Sequence, residues 1–353
     1  MASGDAAGFR LSVVNPGGRD SKQYFDGRRA AITAHPPINF HSFAACTGGS
    51  FQRDVKNAIA EETPVLLLIR GDFKATERAL IELKRQRRTV AVSLKETGLH
   101  QIAHQFRDPV RFSRFLRIVN LADGCIGITP EAAGIYRQVR REHDAADVAF
   151  IPTAYPIEDQ QWNFGVSPNE QSGIFVGTRE WNVPSRNHLA ALLLARELCH
   201  ATGEGVTVFN LDGRQGGRNL SELKFPAGKL RVIERRKPYA DYLREVAKHK
   251  IVLQLDRSRV PGQVAGDALL CRIVCIGGDG AIERIAFSNF CGEGRTIEEL
   301  KAIALELLTN TSARAAAIIE SQRRAAERLS FQAVCSQLAI FFARIGTKPE
   351  GAH

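Results

Sequence analysis

Two arginines, Arg179 and Arg186, lie in Phe175-Val-Gly-Thr-Arg-Glu-Trp-Asn-Val-Pro-Ser-Arg-Asn187, where an apolar run ends in Gly177-Thr-Arg and a new periodic run begins near Ser185. A guanidinium is a fixed fork of donors matched to phosphate oxygens. It also stabilises negative charge gathering on a departing diphosphate, so the pair suits diphosphate chemistry. Surface arginines flanking a loop are the competing reading. Further on, Val260-Pro-Gly-Gln-Val-Ala-Gly-Asp267 carries Gly262 and Gly266 into a short helical run. The free N–H groups of a helix start form an anion site. Asp267, near that start, is an acceptor for ribose hydroxyls, and Gly277-Gly278 lets backbone approach a ligand closely. Helix capping or a plain turn would explain the same residues. A third strand end, Val208-Phe-Asn-Leu-Asp-Gly-Arg214, offers Asp212 in what reads as an Asp-Gly turn.

The first half offers acid–base candidates. Ser93-Leu-Lys-Glu-Thr-Gly-Leu-His-Gln-Ile-Ala-His104 follows a strong apolar run and places Glu96, then His100, where a carboxylate or imidazole could take a proton from a hydroxyl. Pairing of Glu96 with Lys95, or capping of the next helix, is the structural alternative. His100 and His104 are four apart, a spacing that suits a metal, but no third ligand accompanies them. Cys271 and Cys275 likewise lack a second ligand pair, so no metal and no cofactor are expected. Asn15-Pro-Gly-Gly-Arg19, with Gly17 and Gly18, and Arg70-Gly-Asp72 end two further apolar runs.

These residues need elements to position them. Apolar runs of strand length at 9–14, 30–34, 63–69, 89–94 and 124–129 alternate with amphipathic stretches at 74–88 and 109–121. Thr129-Pro-Glu131 reads as an N-cap, a first-position proline and a first-turn acid. Periodicity lapses between 148 and 172, then resumes with strands at 173–177, 206–210, 230–233, 251–255 and 273–276 and helices at 187–202 and 239–248. Residues 296–343 read as two long helices. Strands separated by helices imply parallel sheets. The expected division is therefore a first domain at 1–150, a linker at 151–172, a second domain at 173–330 and a terminal helix and tail at 331–353 that crosses back to the first. The length of 353 residues suits two domains.

Apolar residues make up 44% and charged residues 24%, which excludes a largely disordered chain. The net charge of +10 favours anionic partners, but no aromatic-interleaved basic motif accompanies it, so nucleic acid is not expected. Seven cysteines, an odd number in mostly apolar stretches, suit buried thiols in a reducing compartment. With no leader-like start and no long apolar segment, the expected location is cytoplasmic, with peripheral contact to an anionic membrane at its inner face.

The order strand-Gly-x-Arg, Arg-Asn opening a helix, strand with Asp-Gly, Tyr239-Ala-Asp-Tyr-Leu-Arg-Glu-Val-Ala-Lys-His249 before a strand, then Gly-x-x-x-Gly-Asp-Ala-Leu resembles the donor half of GT-B glycosyltransferases of the family 4 type. The resemblance covers 173–330 and extends to the first half only in layout. It implies an α/β fold of two Rossmann-like doubly wound parallel-sheet domains facing a cleft. It also implies hexosyl transfer from a nucleotide-sugar co-substrate to a glycan, lipid-linked or small-molecule acceptor, in glycan or glycoconjugate biosynthesis. In that family a Gly-Arg and a following Lys or Arg hold the donor diphosphate, positions matched by Arg179 and Arg186. Of the family's two glutamates, the ribose-contacting second is matched by Asp267, while Arg259 stands where the first belongs. Glu283 matches a residue that follows the last strand, and Asn15-Pro-Gly-Gly resembles the family's glycine loop near the donor phosphates. A sugar-nucleotide epimerase of the same architecture and a non-catalytic sugar-nucleotide-binding or glycan-binding module are the alternatives. A dinucleotide oxidoreductase is disfavoured, because no Gly-x-Gly-x-x-Gly follows a strand.

Overall fold

The strongest apolar runs become the sheet centres. In a computed structural model that describes residues 8–20, 22–25, 35–140 and 145–347, the continuous runs Val65–Ile69 (β4) and Val90–Leu94 (β5) are buried on both faces and pair in parallel. Around them lie Ser12–Val14 (β1), Gln23–Tyr24 (β2), Ser50–Gln52 (β3), Gly124–Gly127 (β6) and Val148–Phe150 (β7). The sheet order is β2-β3-β1-β4-β5-β6-β7, parallel except for the short edge strand β2. Doubly wound order thus reverses at β1, with β3 on one side and β4 on the other. β2, β3 and the helix Phe40–Cys46 are absent from the sequence reading, and the strand expected at 30–34 lies outside the described residues.

A second sheet is built from Ile174–Val176 (β8), Val206–Phe209 (β9), Leu230–Ile233 (β10), Ile251–Leu253 (β11) and Val274–Ile276 (β12), all parallel in the order β10-β9-β8-β11-β12. Its order reverses between β8 and β11, the place where open α/β sheets take ligands beyond their carboxyl ends.

The chain divides into two compact units, residues 1–156 with 328–353, and residues 157–327. The stretch 151–172, expected as a linker, is split between them and packed: Trp162 is buried against Tyr239, and Phe164 N–H donates to Leu270 O. The C-terminal region holds three helices rather than two, Ile297–Thr309, Thr311–Arg328 and Phe331–Gly346. Asn310 separates the first pair by capping the second helix, its Oδ1 accepting from Ala313 N–H. Helix Phe331–Gly346 inserts Phe331, Val334, Leu338, Phe341, Phe342 and Ile345 into the core of the first unit, beside Phe43 and Phe51. All seven cysteines are buried free thiols. Among the described residues no single helix is long and apolar enough to cross a membrane.

Candidate functional site

The reversal point of the second sheet gathers the residues nominated for a diphosphate. β8 ends in Gly177-Thr178-Arg179. A Cβ on Gly177 would stand 2.5 Å from Val264 Cγ1, so glycine there lets the first turn of helix Gln263–Leu270 close on the strand end. That helix starts at Gly262, whose φ of 95° only glycine adopts without strain, and a side chain there would also overlap Glu283 Oε2. The helix's free N–H groups therefore sit beside the carboxyl end of β8. Gly266 is the buried fourth residue of the helix, its N–H bonded to Gly262 O, so it serves packing rather than an open loop.

The two arginines differ. Arg179 is exposed, and its side chain makes no hydrogen bond or ion pair among the described residues. Arg186 pairs with the carboxylate of Asp256, which is 3% exposed at its side chain, just beyond β11. Around that pair, Ser185 Oγ meets Ser258 Oγ at 2.7 Å, Arg257 N–H donates to Ser185 O at 2.7 Å, and Asn187 Nδ2 donates to Leu255 O at 2.9 Å. Arg186 thus staples the loop after β8 to the loop after β11.

Asp267, nominated for ribose hydroxyls, is 2% exposed and turned inward. Tyr239 Oη donates to its Oδ1, and Tyr242 is its second hydroxyl partner. Burial pushes its pKa up to about 7, against the pull of the two tyrosines and the Arg179 charge. This corrects the expectation of an open acceptor: one carbon shorter than glutamate, the side chain is taken by the tyrosines of helix Tyr239–Val246. Asp212 corrects another expectation. It is exposed, but it precedes the helix Gly213–Glu222 rather than a plain turn.

Arg259 has a φ of 51° and bonds Asp279 Oδ2 through Nε at 3.1 Å and Glu293 Oε1 through Nη1 at 2.5 Å. The cation standing where the resemblance places an acid is thus held in an ion-pair network. Glu283 is 2% exposed; its Oε1 accepts from Gln254 Nε2 at 2.5 Å, and burial raises its pKa to about 8. One residue escaped the sequence reading. His188, at the start of helix His188–Thr202, places Nδ1 3.2 Å from Thr178 Oγ1, and its Nε2 has no hydrogen-bond partner among the described residues. Burial lowers its pKa to about 4 despite Glu180 and Asp212, so the ring is neutral near pH 7. Its place at a helix start, two residues after Arg186, was the available signal.

In the first unit, Glu96 is exposed on the connection between β5 and the helix Leu99–Gln105, and His100 is half-buried in the first turn of that helix. Gly17 and Gly18 follow β1 at the reversal point of their sheet, and Gly17 lies against Arg70.

No known protein-family profile matches the chain, and no curated protein matches it. Solved structures do. HepE from Anabaena in complex with UDP aligns at a TM-score of 0.61 with 14% identity over 95% of this chain and 100% of that one. An alpha,alpha-trehalose-phosphate synthase (UDP-forming) from Burkholderia vietnamiensis aligns at 0.67 with 9% identity over 98% and 99%. S. aureus TarM, solved with UDP, alpha-GlcNAc-glycerol and fondaparinux, aligns at 0.56 with 11% identity over 79% and 55%. The likeness establishes the fold: two Rossmann-like units of the GT-B type.

Proposed function

We propose that this chain transfers a hexosyl group from a nucleoside-diphosphate sugar to a hydroxyl of a glycan, lipid-linked or small-molecule acceptor. The observation that carries the reading is Arg179, an exposed guanidinium that closes no salt bridge among the described residues, at the reversal point of the second sheet beside the start of helix Gln263–Leu270. The solved neighbours support it, since HepE binds UDP and UDP-glucose in structures of the same fold. In the reaction the bond from the anomeric carbon to the diphosphate breaks, the acceptor oxygen bonds that carbon, and the diphosphate leaves with its charge stabilised by Arg179 and the helix start. Glu96 is the proposed proton acceptor for the incoming hydroxyl, with His100 as the alternative base.

Thermal unfolding against a panel of nucleoside diphosphates tests the donor site. A ligand at 100-fold above its Kd adds about 2.7 kcal/mol, a rise of roughly 5–10 °C for a unit of this size. Arg179→Ala should abolish the rise. If no nucleoside diphosphate shifts the transition, the reading is lost. Mass spectrometry of the donor and acceptor then separates transfer from epimerisation of the donor, and from binding without turnover.

A further inference from the structure

The carboxyl edge of the first sheet carries charge that glycosyl transfer, as described so far, does not use. Arg70 and Lys95 directly follow Ile69 and Leu94, residues in register on the neighbouring strands β4 and β5, and Lys95 N–H donates to Ile69 O at 3.0 Å. Strands in a sheet lie about 4.8 Å apart, so the two cations leave the sheet side by side. Both are half-buried, and neither side chain has an ion-pair partner among the described residues. Asp20 and Glu96 are near enough to act on the Lys95 charge, yet neither closes a salt bridge with it; Lys95 Nζ instead sits 5.2 Å from the Phe40 ring centroid.

The remaining wall is polar and unsatisfied. Gly17 lies 3.8 Å from Arg70 O, measured from where its Cβ would be, so the Asn15-Pro-Gly-Gly turn abuts the Arg70 strand end. Asn15 is fully buried beneath Gly18, and both its Oδ1 and Nδ2 lack hydrogen-bond partners among the described residues. A buried donor left unpaired costs about 1–3 kcal/mol, and an oxygen of a bound group accepting from Asn15 Nδ2 would offset that part of the cost. Beside Lys95, His41 stacks on Phe51 with centroids 3.7 Å apart and has no hydrogen bond at either nitrogen among the described residues. Held between the His35 and Phe51 rings and 2% exposed, it stays neutral and adds no further charge beside Lys95.

We propose that Arg70, Lys95 and the Asn15–Gly18 turn form a phosphate-binding subsite in the first unit and that the acceptor substrate carries the phosphate. A forked guanidinium beside a point-charge ammonium matches a phosphate dianion in charge and in donor geometry. The word acceptor rests on the glycosyl-transfer reading; the phosphate site does not.

The test is thermal unfolding of the full chain with inorganic phosphate and with glycerol 3-phosphate, using glycerol as the neutral control, each with and without saturating UDP. Both phosphates, and not glycerol, should raise the midpoint by a few degrees, and the rise should add to that from UDP. Arg70→Gln with Lys95→Gln should weaken phosphate binding about tenfold or more while the UDP response persists, and Arg179→Ala should do the reverse. Lys95→Arg should keep the response. If the double variant shows no folded baseline, Lys95→Met alone is read in the same way. A phosphate response that UDP abolishes would assign the cations to the donor diphosphate and overturn the acceptor role. A response unchanged in the Gln variants, or none in the parent chain, would overturn the site. Phosphate binding through Arg70 and Lys95 in a chain that binds no nucleotide would sink the transferase reading and leave the subsite standing.

Discussion

Arg179 and Arg186 have the same side chain seven positions apart and the same sequence-level reason for notice, yet the fold gives them opposite energetics. Arg186 neutralises Asp256, a carboxylate whose side chain is 3% exposed. Removing one partner of a buried pair leaves the other charge uncompensated, at a cost of about 3 kcal/mol. Arg186→Ala should therefore lower the urea midpoint clearly, and adding Asp256→Asn should restore much of the loss. Arg179→Ala should leave the ligand-free midpoint unchanged, because an exposed arginine without a partner contributes little to folding. If the two variants unfold alike without ligand, the staple assigned to Arg186 is not there. This distinction was not legible in the sequence, because the residue that claims Arg186 is 70 positions away on another strand end. The same limit hid the fate of Asp267, whose partners Tyr239 and Tyr242 sit on a helix 28 and 25 residues earlier.

Elements were legible in proportion to the length of their own signal. The continuous apolar runs gave β4 and β5, and Thr129-Pro-Glu131 gave the helix Pro130–Val139, whose Thr129 side chain accepts from Ala132 N–H at 3.1 Å. The helix Phe40–Cys46 has seven residues, all of them buried, and shows no amphipathic period to read. The helix Gly213–Glu222 begins at the Asp212-Gly213 pair, which in sequence reads as a turn. Packing decides these cases, and it makes the C-terminal helix testable. Gly124 opens β6, and a Cβ there would stand 2.8 Å from Phe341 Cζ and 3.1 Å from Ile345 Cγ2. Gly124→Val should thus displace helix Phe331–Gly346 from the first unit, and Phe341→Ala should cost about 3–5 kcal/mol by leaving a cavity. Limited proteolysis would read the first as cleavage near Leu329, and urea titration would read the second. If Gly124→Val leaves the helix protected, the packing of Phe341 over β6 is not what holds it.

For the whole molecule, buried ionisable groups give the two units different pH responses. In the second unit burial raises Asp267 to about 7 and Glu283 to about 8, above their open-chain values of 3.8 and 4.5. The folded state holds those protons more tightly. The stability they contribute is therefore complete below about pH 4 and is lost as pH rises through the folded values, at about 1.4 kcal/mol per pH unit for each proton. In the first unit burial, with the nearby His35 and Lys95, lowers His41 from 6.5 to about 2. Its contribution has the opposite sign: present above pH 6.5 and lost as pH falls. Both tryptophans, Trp162 and Trp181, lie in the second unit, so tryptophan emission reports that unit, whereas far-ultraviolet dichroism reports both. Between pH 6.5 and 8.5 the urea midpoint seen by emission should fall, by about 2 kcal/mol in stability, the smaller rise from the buried neutral His188 and His249 included. Glu283→Gln, which keeps an acceptor for Gln254, should remove much of that fall. Between pH 6.5 and 4.5 the buried His188 weakens the second unit as His41 weakens the first, but there the protons of Asp267 and Glu283 offset it. The dichroism midpoint should therefore drop ahead of the emission midpoint, and His41→Phe should close the gap by leaving the stack on Phe51 without a titrating ring. An emission midpoint that stays flat from pH 6.5 to 8.5 would mean that Asp267 and Glu283 ionise as they do in the open chain, and their burial would then carry no energetic weight.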